Sequence, residues 1–201
     1  MRDIQSYVCG EWIAPDSSAR GVFDAVSGAQ IGLAGSAAFD RGGMVDFAKS
    51  VGGPALRERT FHQRAKMLKA LALHLSSQKD ALYEASFATG ATMKDHMIDV
   101  DGGIGTMLVF ASKGRREMPN SQVYVDGQVE QLSRSGQFVG QHICTPKLGV
   151  AVHINAFNFP VWGMLEKMAP ALLAGMPVIV KPATATCQVT EMAFQMIVAS
   201  G

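Results

Sequence analysis

The 201-residue chain is 48% hydrophobic and 17% charged, with a formal net charge of +1. That is the composition of a globular protein with one sizeable core or about two small domains, and it lacks the basic footprint of a nucleic-acid or anionic-membrane binder. No apolar run approaches the ~20 residues of a membrane helix, and MRDIQSYVCGEW has no secretory apolar region. Cys9, Cys144 and Cys187 are too few and too widely spaced for a disulfide framework or a metal site, so a cytoplasmic location is the expectation.

Residues 5–34 read as short strands and turns. SYVCGEWIA is a strand–turn–strand pattern, and DAVSGAQIGLAG carries a Ser-Gly turn between apolar runs. Residues 40–50 form a weak helix. From Thr60 to Ser77 the helical signal is strong: Thr60 and Gln63 make a capping box, and Phe61, Ala65, Leu68, Leu71 and Leu75 share one face. A second helix runs over Lys79–Ala88 and stops at Thr89-Gly90. A third covers Met93–Arg116 with Gly102, Gly103 and Gly105 inside it. Each glycine costs about 1 kcal/mol relative to alanine, so three of them mark either close helix packing or a break.

Residues 121–143 change character. SQVYVDGQVEQL alternates around Asp126-Gly127, a hairpin-turn signal, and GQFVGQHIC is a further strand. This reads as an extended β arm, able to pair with another subunit. The last segment opens with a strand over Gly149–Ile154, in which Val150, Val152 and Ile154 alternate. A helix follows over Val161–Ala174, with Gly175 at the position after its end. Val178–Lys181 is a second strand, closed by Pro182, and Cys187–Ala199 a last helix. The expected class is therefore α/β: amino-terminal strands and helices over 1–120, a β arm over 121–148, and a first βαβα part of an incomplete doubly wound sheet over 149–201.

In an open α/β sheet, ligands gather outside the carboxyl ends of the strands. Asn155 and Asn158 follow the first strand here, and Lys181 and Thr184 the second. No GxGxxG or Walker motif is present. Read from the residues alone, Asn158 could be a turn asparagine before Phe159-Pro160 and Lys181 a solvated strand-end lysine. Glu166-Lys167 reads as a solvated helix face, and His153 as a hydrogen-bonded sheet histidine. Met164, Met168 and Met176 read as core fillers.

INAFNFPVW, EKMAPALLAG and KPAT, in that order, resemble the aldehyde dehydrogenase superfamily. The wording INAFNFP and KPATAT, with GGPALRERTFHQRAKMLKALALHL and DVDGGIGTM upstream, is similar to the branch that oxidises ring-cleaved CoA semialdehydes in phenylacetate-type aromatic degradation. The resemblance runs across nearly all 201 residues, and it implies that the strands and helices of 1–120 belong to a cofactor-binding domain of which 149–201 is the first, incomplete βαβα part of the doubly wound dinucleotide-binding sheet. It implies that the Asn158 amide donates to the thiohemiacetal oxyanion and that Lys167 supports catalysis. It further implies that Ile154, Asn155, Ala156 and Phe157 line the cofactor, with Ala156 and Phe157 replacing a common proline-tryptophan pair. Lys181, Pro182, Ala183 and Thr184 would border the adenosine ribose. Thr184 stands where the family often has glutamate. An acid there binds the ribose 2′-hydroxyl, and its absence leaves room for a 2′-phosphate, which favours NADP over NAD.

The same resemblance implies a cysteine nucleophile and a glutamate base, whose family motifs fall beyond residue 201. Cys187, beside KPATAT, lies on the ribose side and cannot replace that cysteine. The hydratase-like domain of the branch's bifunctional members has no counterpart in these residues either. The chain is thus expected to be the amino-terminal portion of an aldehyde dehydrogenase, inactive and self-associating by itself, with a CoA-linked aldehyde as the parent's substrate and a homo-oligomer formed through the β arm. Two alternatives are a non-catalytic nucleotide-binding or assembly module and a protein whose catalytic half is a separate chain.

Overall fold

A computed structural model describes residues 2–36 and 39–201. In chain order the elements are β1 (Arg2–Asp3), β2 (Ser6–Val8), β3 (Glu11–Ile13), β4 (Arg20–Phe23), β5 (Gln30–Ala34), α1 (Arg41–Phe47), α2 (Gly53–Arg57), α3 (Phe61–Ser77), α4 (Lys79–Ser86) and α5 (Met93–Arg116). There follow β6 (Tyr124–Gln131), β7 (Val139–Cys144), β8 (Ala151–Ile154), α6 (Trp162–Leu173), β9 (Val178–Lys181) and α7 (Cys187–Ala199). Among the described residues, no helix is long and apolar enough to cross a membrane.

The amino-terminal turns form as the sequence requires. β2 pairs antiparallel with β3, and β5 lies between β1 and β4. Gly28, in the Ser-Gly turn, takes φ 72°, a conformation open to glycine. Cys9 lies in the turn between β2 and β3 at φ 52°, outside either strand. The helix begun at Arg41 runs through a wider turn, Ala48–Gly52, straight into α2.

α3 begins with the expected capping box: Gln63 N–H donates to Thr60 Oγ1 at 3.2 Å, and Thr60 N–H to Gln63 Oε1 at 2.8 Å. Its inner face buries Ala65, Leu68, Ala72 and Leu75 completely, with Leu71 at the margin. α5 has a second box at Thr92 and Asp95. The main core lies where α3, α5, α6 and α7 meet, around Leu68, Leu75, Met107, Met164, Leu165 and Val189. Met168 is buried there as well, while Met176 is half-buried.

Gly102 and Gly103 of α5 serve close packing, and the helix does not break. A Cβ on Gly103 would lie 2.9 Å from Trp162 Cα, and one on Gly102 the same distance from the Trp162 ring. Gly105 faces open space.

The ribbon differs from expectation at its turn. β6 runs unbroken through Asp126-Gly127 and pairs antiparallel with β7. Asp126 pairs with His142 and Glu130 with Gly140, so residues 127–129 bulge against the single residue Gln141. Gly127 absorbs that bulge at φ 74°. The reversal lies at Ser133–Gly136 instead, closed by Leu132 N–H to Phe138 O at 2.8 Å and Phe138 N–H to Ser133 Oγ at 3.1 Å.

β8 and β9 pair in parallel, with Ile154 opposite Lys181, and α6 connects them. The alternation in β8 points opposite to a simple reading of its valines. Val152 and Ile154 are 58% and 74% exposed, while Ala151 and His153 turn towards α6. Val178 and Val180 pack against the main core.

The α5–α6 contact yields paired expectations. Gly105→Ala should raise stability by up to about 1 kcal/mol through helix propensity. Gly103→Ala should destabilise by about 1–3 kcal/mol through overpacking. Urea unfolding of the two variants beside the wild type checks both signs.

Candidate functional site

The carboxyl ends of β8 and β9 lie side by side. Asn155 N–H donates to Lys181 O at 3.0 Å, carrying the parallel pairing one residue beyond β8. From there residues 155–160 lead into α6. This loop is held at several points. Thr186 Oγ1 donates to Phe157 O at 3.0 Å, and Thr190 Oγ1 to Pro160 O at 3.2 Å. The strongest anchor comes from α5: the Asp99 carboxylate accepts Trp162 N–H at 2.7 Å and Val161 N–H at 3.2 Å. The first amides of a helix have no partner within it, and an acid there also meets the positive end of the helix dipole.

Asn158 and Lys167 line one open cleft of about 250 Å³, together with Ala156, Phe159, Trp162 and Glu166. Asn158 is exposed. Lys167 Nζ donates to Gly163 O and to Glu166 Oε1, each at 2.9 Å, so the ammonium is held over the first turn of α6. Phe159 and Trp162 form the aromatic wall, ring centroids 5.8 Å apart.

The cofactor candidates fall at a separate edge. Lys181 ends β9, exposed, and Thr184 opens a short 3-10 turn, also exposed. Pro182 and Ala183, half-buried, connect them. Ile154 and Phe157 project outward at 74% and 65% exposure, whereas the Asn155 side chain turns inward at 6%. The loop thus separates an Asn158–Lys167 cleft from a Lys181–Thr184 edge and touches both.

His153 is not the hydrogen-bonded sheet histidine of the sequence reading: its Nδ1 is buried with no partner among the described residues. Burial, and then the charge of Lys167, hold its imidazole below the ordinary range. Cys187 is buried beside Ile4 and Val22. Burial, and then Glu191, push its thiol up to about 11, so it stays protonated and non-nucleophilic at neutral pH.

Asp99 was not singled out in the sequence, although a signal existed. Asp99, Gly102 and Gly103 stand at i, i+3 and i+4, on one helix face. An acid beside two glycines there marks the close approach of another helix's amino terminus.

The family model described as "Aldehyde dehydrogenase family" matches residues 12–201. The chain belongs to the aldehyde dehydrogenase family. It is 38% identical over 199 residues to the 3,4-dehydroadipyl-CoA semialdehyde dehydrogenase of Aromatoleum evansii, covering 98% of this chain and 38% of that protein. It is 27% identical over 145 residues to a D-glyceraldehyde dehydrogenase (NADP(+)) of Picrophilus torridus, covering 72% of this chain and 27% of that one. Among solved structures, lactaldehyde dehydrogenase from Escherichia coli superposes with a TM-score of 0.83 at 20% identity, over 100% of this chain and 40% of the other. A 3,6-anhydro-L-galactose dehydrogenase in complex with NAP gives 0.82 at 22% identity, with the same coverage. These likenesses establish the aldehyde dehydrogenase fold. The chain spans about two fifths of the length of those two structures and of the Aromatoleum relative.

The Asp99 anchor carries a pH signature. Burial raises its carboxyl from 3.8 to about 6 against the pull of the Trp162 and Val161 amides. The native state therefore keeps a proton that the unfolded chain releases between those values. This contribution to stability is full below pH 3.8 and lost as pH rises through 6. Asp99→Asn removes it and leaves a backbone amide poorly paired, at a cost of about 1–3 kcal/mol. Urea unfolding across that range should show the advantage of wild type over variant shrinking as pH rises to 6 and constant above it.

Proposed function

We propose that this chain is the amino-terminal portion of an NADP-dependent aldehyde dehydrogenase. Its substrate in this reading is a CoA-linked semialdehyde released by aromatic ring cleavage, oxidised to the acid. The observation that carries the proposal is the placement of Asn158 and Lys167 in one cleft, with Lys181 and Thr184 at the adjoining strand edge. The name of the Aromatoleum relative, 38% identical, supports the substrate class.

In this reading the exposed Asn158 amide donates to the oxygen that gains charge as a nucleophile adds to the aldehyde. A fixed donor aimed there stabilises the transition state more than the ground state. Lys167, held by Gly163 O and Glu166, keeps a positive charge along the same cleft. Phe159 and Trp162 exclude water from one wall. The edge residues fit a phosphorylated dinucleotide: Lys181 supplies a cation, Thr184 a hydroxyl, and residues 181–186 contain no acid to repel a 2′-phosphate. The backbone of Ile154, Asn155, Ala156 and Phe157, with Pro182 and Ala183, would border the cofactor. The bound nicotinamide would accept hydride from the adduct.

The nucleophilic cysteine and the glutamate base are assigned to the remainder of a longer parent, so this segment alone is expected to be inactive. A homo-oligomer through the ribbon of residues 121–148 goes with this reading, since Val129, Phe138 and Ile143 are more than half exposed on it. A cytoplasmic location goes with it too. The second reading, a non-catalytic nucleotide-binding or assembly module, draws on the span of about two fifths of the relatives.

Two measurements on the parent enzyme test the proposal. In titrations with both cofactors, NADP should bind more tightly than NAD, and Thr184→Glu should narrow or reverse that preference. An unchanged ratio would remove Thr184 from the cofactor edge. Asn158→Ala should lower kcat by about 100- to 1,000-fold with cofactor affinity nearly unchanged. Intact kcat, or collapsed cofactor binding, would make Asn158 a turn residue.

A further inference from the structure

The α6-facing side of β8 carries buried polar atoms that have no partner among the described residues. His153 and Asn155 are two residues apart on an extended backbone, so their side chains leave on the same side. Asn155 is 6% exposed, and neither its Oδ1 nor its Nδ2 has a partner among the described residues. His153 Nδ1 is also buried and unpaired. Buried amides and ring nitrogens are ordinarily hydrogen-bonded, because burying them bare forfeits their hydration.

Gly163 and Lys167 stand one turn apart on α6, opposite this pair. A Cβ on Gly163 would lie 3.8 Å from Asn155 Cβ, 3.9 Å from Asn155 Cγ and 3.9 Å from Lys167 Nζ. Asn155 and Lys167 therefore border the same small space, which Gly163 leaves free. Lys167 Nζ uses two hydrogens, on Gly163 O and Glu166 Oε1, and an ammonium has three. The third has no acceptor in those bonds, and Asn155 Oδ1 has no donor. The other half of the same amide, Nδ2, is a donor, and His153 Nδ1 is an acceptor when the ring proton sits on Nε2. Donors and acceptors thus alternate in order from Lys167 through Asn155 to His153. Burial first, and then the Lys167 charge, hold the His153 ring below its ordinary range.

We propose that Asn155 is a positioning residue: its buried carboxamide couples Lys167 to His153 across the β8–α6 interface and fixes where the Lys167 ammonium lies in the cleft. The coupling runs through a bridging water or a small rotation of the amide, and either satisfies all three side chains. Glu166 and Lys167 are the charged groups at this junction and His153 its titratable ring. The catalytic consequence rests on the dehydrogenase reading, whereas the coupling itself does not.

The test uses 1H–15N NMR of the whole chain, reading the Asn155 carboxamide and the His153 ring. Lys167→Met alters a part-exposed side chain. It should shift the Asn155 carboxamide signals and raise the His153 titration midpoint. Asn155→Leu, close in shape, should move the His153 Nδ1 signal towards that of an unbonded nitrogen. Asn155→Asp should raise the His153 midpoint by placing a carboxylate beside it. A carboxamide unmoved by Lys167→Met would overturn the proposal, and that variant decides even where the Asn155 variants fail to fold. None of these readouts needs aldehyde or cofactor, so they stand or fall apart from the dehydrogenase reading. In an active parent, Asn155→Leu should lower kcat with the cofactor KM unchanged; the opposite split would overturn the positioning role.

Discussion

The Asp99 carboxylate on the first amides of α6 is the interaction on which the rest of the site depends. A helix amino terminus brings unpaired N–H groups and partial positive charge into the interior. Asp99 answers both from a different helix, α5. It can reach because Gly102 and Gly103, on the same face, let the α6 backbone and Trp162 come within contact. The loop of residues 155–160 is then strung between two fixed ends, the β8–β9 pairing at Asn155 and the Asp99 anchor at Val161-Trp162. Asn158 lies between them, and its exposure follows from that tether.

The same construction divides the site by chemistry. The cleft over α6 gathers an amide, an ammonium and two aromatic rings. The β9 edge offers a lysine and a hydroxyl, with no acid in residues 181–186. α7 serves both sides. Thr190, with Thr186 just before the helix, holds the loop, while Glu191 of α7 accepts Gln5 N–H at 2.9 Å and pairs with Arg2 at 2.7 Å. The amino-terminal strands are thereby joined to the helix that secures the site.

Local signals were legible where a few neighbouring residues decide the outcome. Thr60 and Gln63 predict the start of α3, Thr89-Gly90 the stop after α4, and Gly175 the turn after α6, because each rests on backbone groups within four or five residues. Asp126-Gly127 misled because the same dipeptide suits a two-residue turn and a bulge. Only the pairing of 139–144 along the whole of β6 selects the bulge. In β8 the alternation of Val150, Val152 and Ile154 is real, yet it does not say which face meets α6. His153 and Asn155 take the inner side, and the apolar residues Val152 and Ile154 are left outward.

By itself, the sequence determined the succession of helices and strands, the α/β class and the family, since these follow from periodicity, caps and long ordered motifs. It also placed Lys181 at a strand end, Asn158 and Thr184 in the segments that follow the strands, and Lys167 within a helix. Only the tertiary structure decided which of them share a cleft, that Gly102 and Gly103 serve close packing, and that Asp99 holds the α6 terminus. Those outcomes depend on contacts between residues some sixty positions apart, Asp99 with Val161 and Trp162. Hydrogen-bond directions and the space left by a missing Cβ arise only once the helices have packed.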